Sequence, residues 1–259
     1  MSRFATVAAP AEGPHGGGDI PADPDGYWQE SERPFVCLVF LLPLIVVYEA
    51  GTRFFTDGAL HGREQQIIAF ILLRQFFSFF GAEGRHLPAL AAVGILLAWH
   101  IARNDRWSVR PQTLAGMAVE STALAFPVLG LGYALSHYFP LAARGSGTGD
   151  YLILALGAGV YEELVFRLIL FTFLSLVLRD AFQISAGGAG LLMVVLSAVL
   201  FSLYHYLSPY ESFHVQTFTF RTLAGLYFGV VFLTRGFGIT AASHAAYDVL
   251  IVTLSAARN

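Results

Sequence analysis

The amino-acid sequence predicts an all-α fold: a polytopic bundle of about eight transmembrane helices behind a disordered amino-terminal tail. Two observations carry this. Hydrophobic residues make up 56% of the 259-residue chain and charged residues only 13%, with a mean hydropathy of +0.61. A soluble domain carries about 25% charged residues, because its surface must stay wet. After Pro34 the apolar residues also fall into runs of roughly the 20 residues that a helix needs to cross a bilayer. Irregular backbone does not survive against lipid, so these runs are helices rather than strands.

The tail comes first. Residues 1–34 contain a Gly-, Pro- and Asp-rich stretch from Pro10 to Gly26 that offers nothing to bury. Met1-Ser2-Arg3 is not followed by an apolar stretch, which argues against a signal peptide. The short Gly26-Tyr27-Trp28-Gln29 piece is expected at the headgroup level, where Trp and Tyr settle. The helical domain then runs over 35–259, with apolar segments at 35–53, 65–81, 87–103, 112–138, 150–178, 187–207, 213–234 and 236–256. Punctuators such as Thr56-Asp57-Gly58, Arg103-Asn104-Asp105-Arg106 and Gly145-Ser146-Gly147 separate them. So few residues divide the last two segments that they are expected to form an antiparallel hairpin.

Several function classes are excluded at once. The net charge of −3, the pI of about 6.2 and the lack of a basic cluster argue against nucleic-acid binding. Cys37 is the single cysteine, so no internal disulfide or Cys-rich metal site can form. The 15 basic residues are all arginines, which rules out a lysine Schiff base or a Ser/Lys dyad.

A charge inside a bilayer costs about 2.5 kcal/mol or more, so each one demands a reason. In the first four segments Glu49 and His100 lie near span ends, where a structural or interfacial role suffices. Glu120 and Arg74 lie deeper and are expected to pair or to line a cavity. The last four segments are richer. Segment five holds Tyr161-Glu162-Glu163-Leu164-Val165-Phe166-Arg167, segment six ends in Phe201-Ser202-Leu203-Tyr204-His205, segment seven holds Arg221, and segment eight holds His244-Ala245-Ala246-Tyr247-Asp248.

Helical spacing sorts these residues. Glu163 and Arg167 are four apart and share a face, so they can neutralise each other. Glu162 is rotated by about 100° and points to another neighbour. His244 and Asp248 share a face, and so do Phe201 and His205. At about 1.5 Å per residue, all of these fall in one half of the bilayer, so a single site can hold them. Glu162, Glu163 and Asp248 against Arg167 and Arg221 leave one negative charge in a low dielectric. A protonated carboxyl, a charged histidine or a bound cation would resolve it. Arg167 and Arg221 also fit a structural network that staples helices. Two adjacent buried glutamates exceed what packing needs.

These residues resemble a known family. Glu162-Glu163-x-x-x-Arg167, then Phe201-x-x-x-His205, then His244-x-x-x-Asp248 are similar, in order, spacing and placement on late helices, to the three signature motifs of the CPBP intramembrane proteases. That family includes the type II CAAX prenyl endopeptidases and the Abi-type proteins. The resemblance covers about residues 150–256. Leu168 stands where the family commonly has glycine, and Asp248 where it often has asparagine. The resemblance implies peptide-bond hydrolysis within the membrane, with Glu162 as the base that activates a water and His205 holding it. Glu163 would orient the site and pair with Arg167. His244 and Asp248 would polarise the scissile carbonyl and stabilise the oxyanion, an ionised Asp248 instead fixing His244. The cofactor question stays open at this point: the sequence allows a metal-free site, and it allows zinc held by Glu162, His205 and His244, although H-E-x-x-H is absent. The expected partners are the lipid bilayer and a membrane-embedded or lipidated peptide or protein, with no nucleic acid. The expected location is multi-pass in a membrane, the inner membrane if the source is bacterial. Two other classes use the same residues: a proton-coupled transporter, and a non-catalytic immunity or scaffold protein.

Overall fold

The computed structural model describes residues 26–56, 67–138, 148–207 and 211–257. The elements are α1 (Tyr27–Ser31), α2 (Pro34–Thr56), α3 (Ile68–Phe79), α4 (Leu87–Arg103), α5 (Pro111–Tyr138), α6 (Thr148–Glu163), α7 (Leu170–Ser175), α8 (Ala186–Tyr204) and α9 (Val215–Ala256). No strand occurs among the described residues. The all-α expectation holds.

Local chemistry sets the helix ends. Pro34 and Pro111 open α2 and α5 at positions where a missing N–H costs nothing. Asn104, with φ 56°, closes α4 in the left-handed cap conformation. The Ser185 hydroxyl accepts from the Gly188 N–H at 3.4 Å at the start of α8. Two π turns, Leu164–Ile169 and Leu176–Ala181, flank α7, so the run predicted over 150–178 is helical but wider than an α-helix just past Glu163.

By length and composition four helices can cross a membrane: Pro34–Arg53, Pro111–Leu135, Ala186–Leu207 and Val215–Ala256. That measure does not reach the eight spans expected. Ile68–Phe79 and Leu87–Arg103 are apolar but shorter, the π turns divide the fifth segment, and one helix covers the seventh and eighth. The tail expected over 1–34 lies outside the described residues as far as 25, but its last part folds as α1.

Within α9 the backbone breaks at Gly236, where φ is 76° and ψ −175°. A side chain would be strained there, and glycine is not. Phe228 and His244 lie eight residues either side of the break, yet their rings stack at 4.8 Å. A straight helix would hold residues 16 apart at about 24 Å. The two limbs therefore fold back on each other as the predicted hairpin.

That hairpin is the centre of the molecule: α9 packs against α6, α5 and α8, while α2 lies on α6 and α4. Leu41, Tyr48, Leu96, Tyr161, Leu164 and Phe237 fill the largest buried cluster. The outward face of α8 instead exposes Leu191, Val195, Leu196, Leu200 and Leu203, a surface suited to hydrocarbon rather than water.

A second polar cluster holds the elbow. Arg235, one residue before the break, donates to Glu120 at 2.5 and 2.8 Å and to the Ser31 hydroxyl at 3.2 Å, and its guanidinium lies 3.7 Å over the Trp28 ring. Glu120 therefore pairs with Arg235 and with the Tyr27 hydroxyl, not with Arg74, which is exposed on α3. Burial and the Glu120 carboxylate push the Tyr27 hydroxyl up to about 12. His100 takes the structural of its two expected roles: it is fully buried, its ring 5.5 Å from that of Phe35 and 4.3 Å from that of Trp107. Glu49 bonds His86 at 2.5 Å and accepts from the Tyr161 hydroxyl at 3.1 Å.

Candidate active site

The three motifs meet because α6 and the second limb of α9 touch backbone to backbone. A methyl group added at Gly159 would sit 2.4 Å from the Ala245 nitrogen, so only glycine permits that approach. Glu163 lies one turn further along α6, and His244 immediately precedes Ala245. The His244 Nδ1 is accordingly 2.7 Å from Glu163 Oε1.

Arg167 lies beneath this pair. It is fully buried, with Nη1 3.0 Å from Glu163 Oε1, Nη2 donating to the Gly225 carbonyl at 3.2 Å, and its guanidinium 4.5 Å over the Phe201 ring. One arginine thus ties the π turn to both α8 and α9. The Ser197 hydroxyl adds a bond from α8 to the Phe166 carbonyl inside that turn, at 2.9 Å.

Glu162 points the other way, as the helical rotation requires. Its Oε1 accepts from the Tyr204 hydroxyl and lies 3.9 Å from the His205 Nε2; its Oε2 lies 3.7 Å from the His244 Nε2. The two imidazoles are held alike. His205 Nδ1 is 2.8 Å from the Phe201 carbonyl, an acceptor only, so that nitrogen carries the proton. His244 Nδ1 is committed to Glu163 in the same way. Each histidine is therefore left with Nε2 near the Glu162 carboxylate, that of His205 at Oε1 and that of His244 at Oε2. Aromatic rings fix both: Phe201 stands edge-on to His205 at 5.1 Å, and Phe228 stacks on His244 at 4.8 Å.

The structure brings together Glu162, Glu163, Arg167, His205, His244 and Asp248. Arg221 is paired with Glu211, Nη1 to Oε1 at 2.5 Å, and reaches His205 and Tyr204 only through its charge. The three carboxyl groups are opposed directly by the guanidinium of Arg167 alone, which leaves charge to be balanced by protons or a bound cation in a low dielectric. The bond that orients His244 also differs from the expected one. It runs to Glu163, while Asp248 Oδ2 lies 3.5 Å from the other ring nitrogen. Tyr204 escaped sequence reasoning. The available signal was a phenol in an apolar span, whose hydroxyl must find a partner when buried.

Zinc does not fit the side chains as they stand. Tetrahedral zinc draws its ligand atoms to about 3.3 Å of one another, and here the nearest pairs around Glu162 are 3.7 and 3.9 Å apart with one oxygen taken by Tyr204. Among the described residues no group of three His, Cys, Asp or Glu side chains converges to hold a metal ion. No step below runs through one.

Beside the site, Val165, Phe166, Leu200, Leu203 and Tyr204 line an apolar groove of about 480 Å³. A search of curated proteins and a search of solved structures each found no match. The sequence profile of the type II CAAX prenyl endopeptidases, described as Rce1-like, matches residues 145–250. That stretch carries every side chain of the candidate site, and over it this integral membrane chain is similar to the type II CAAX prenyl endopeptidase Rce1-like family.

Proposed function

We propose that the chain is an intramembrane endopeptidase that hydrolyses a peptide bond of a membrane-embedded or lipidated substrate, using a water activated by Glu162. The observation that supports this best is the matched pair of imidazoles, each with Nδ1 tied to an acceptor and Nε2 directed at Glu162 from 3.9 and 3.7 Å. Those gaps exceed a hydrogen bond and leave room for a bridging water.

In this mechanism the water lies beside the Glu162 carboxylate, within reach of its Oε2 and of the histidine Nε2 nitrogens. Glu162 takes a proton as the oxygen attacks the scissile carbonyl carbon, and later returns it to the departing amine. His244, when protonated at Nε2, donates to the developing oxyanion. Glu163 holds His244 through Nδ1 and is itself held by Arg167, and Asp248 sets the charge beside Nε2. No serine or cysteine nucleophile is required. The apolar groove beside Tyr204 suits a lipid-borne or prenylated substrate.

The test is cleavage of a farnesylated quenched-fluorescent peptide by the full chain in phospholipid vesicles, with Glu162→Gln and His205→Ala alongside. General-base loss is expected to slow cleavage by about 100-fold or more. Equal cleavage by all three proteins, or none by the wild type, overturns the proposal.

A further inference from the structure

We infer that Tyr204 is a positioning residue for the reaction, acting through Glu162; this rests on the function proposed above. Its hydroxyl donates to Glu162 Oε1 from the last residue of α8, directly before His205. The hydroxyl is the ring's only polar group, and the ring is locked. Phe166 lies 4.6 Å away, Phe201 5.8 Å and His205 4.2 Å, centroid to centroid. The rest of the ring forms a wall of the apolar groove, which offers no competing acceptor.

The geometric consequence concerns which oxygen of Glu162 does the work. Oε1 is engaged by Tyr204. Oε2 has no hydrogen-bond partner among the described residues, the nearest group being the His244 Nε2 at 3.7 Å. A carboxylate anchored by one oxygen cannot swing about its last bond, so its free lone pairs stay aimed at the gap between the histidines. Without the anchor the side chain can rotate, and near-attack geometry is lost for part of the time. Tyr204 thus acts on the rate and not on substrate affinity, because nothing in this role requires contact with the reacting bond.

A double-mutant cycle tests this in vesicles with the same farnesylated peptide, using single-turnover and steady-state measurements. Tyr204→Phe keeps the ring contacts and removes only the hydroxyl. It is expected to lower kcat about 10- to 100-fold, the range for a lost hydrogen bond to a charged group, with KM unchanged. Glu162→Asp withdraws the carboxylate by about 1.5 Å, beyond the reach of the hydroxyl. On that background Tyr204→Phe should cost less than about threefold, since interacting partners are not additive. A loss that persists in full beside Glu162→Asp, a loss carried by KM, or no loss at all overturns the inference while leaving Glu162 as the base. Full activity of Glu162→Gln would instead overturn the proposed function and this inference with it.

Discussion

The contact at Gly159 makes the sharpest structural prediction. An added methyl there would lie 2.4 Å from the Ala245 nitrogen and 2.6 Å from its Cα. These are backbone atoms and cannot rotate aside. Ordinary contact begins near 3.4 Å, so Gly159→Ala must part α6 from the second limb of α9 by about 1 Å. The Glu163–His244 bond, at 2.7 Å one turn away, would stretch to about 3.7 Å, past hydrogen-bonding range. Overpacking of this kind costs about 1–3 kcal/mol, and the lost charge-assisted bond about 1.5–3 kcal/mol more. Thermal unfolding in detergent should therefore fall measurably, and cleavage by about 10- to 100-fold because His244 is no longer held. Gly94→Ala is the control, since an added methyl on that face of α4 meets nothing within 4 Å. A Gly159→Ala protein with wild-type midpoint and wild-type cleavage would refute the argument that this approach sets the site.

Two further outcomes follow. Glu163→Gln leaves the fully buried Arg167 guanidinium without its counter-charge, so stability should drop by about 3–5 kcal/mol in denaturant titration, and Glu163→Gln with Arg167→Met together should recover part of it. At α1, burial alone would raise the Glu30 carboxyl, but bonds from Thr113 and Arg110 outweigh it and hold the group below the usual carboxylate range. A group depressed on folding contributes stability that is present above its unfolded value of about 4.3 and is lost as pH falls through the folded one. The protection of the Tyr27–Ser31 amides against hydrogen exchange, relative to the unfolded chain at the same pH, should thus fall below about pH 4, and Glu30→Gln should remove that fall.

Much of this was legible in the sequence because charge is scarce in it. The helical run, the hairpin at Gly236 and the meeting of Glu162, Glu163, His205, His244 and Asp248 all follow from spacing and depth. What escaped depends on the order in which helices pack, which no periodicity encodes. Arg235 reads as a loop residue but reaches Glu120 because α5 lies against the elbow. Arg221 reads as part of the site because it shares the right depth, but Glu211 lies closer. Asp248 reads as the orienting group for His244 because four residues separate them. Glu163 wins that bond because Gly159 draws its helix in. Hydropathy also does not register the π turns that divide α6 from α7, nor the shortness of α3.

Buried charge alone does not mark a reactive site, and the two polar clusters of this chain show why. Both oxygens of Glu120 are committed, to Arg235 and to Tyr27, so this carboxylate joins α1, α5 and α9 and has no oxygen left over for a ligand. Around Glu162 the capacity is divided. Three atoms around the centre are committed: His205 Nδ1 to Phe201, His244 Nδ1 to Glu163, and Glu162 Oε1 to Tyr204. The two Nε2 nitrogens stand off the Glu162 carboxylate, that of His205 3.9 Å from Oε1 and that of His244 3.7 Å from Oε2. Leaving polar atoms unsatisfied in a low dielectric is costly, and a network built only for stability would close that gap. Committed atoms around donors and acceptors that stand off one another are what the proposed function requires of a site that holds a water and a peptide carbonyl. It is this contrast, more than the presence of carboxylates in a membrane helix, that separates the Glu162 cluster from the Arg235 cluster.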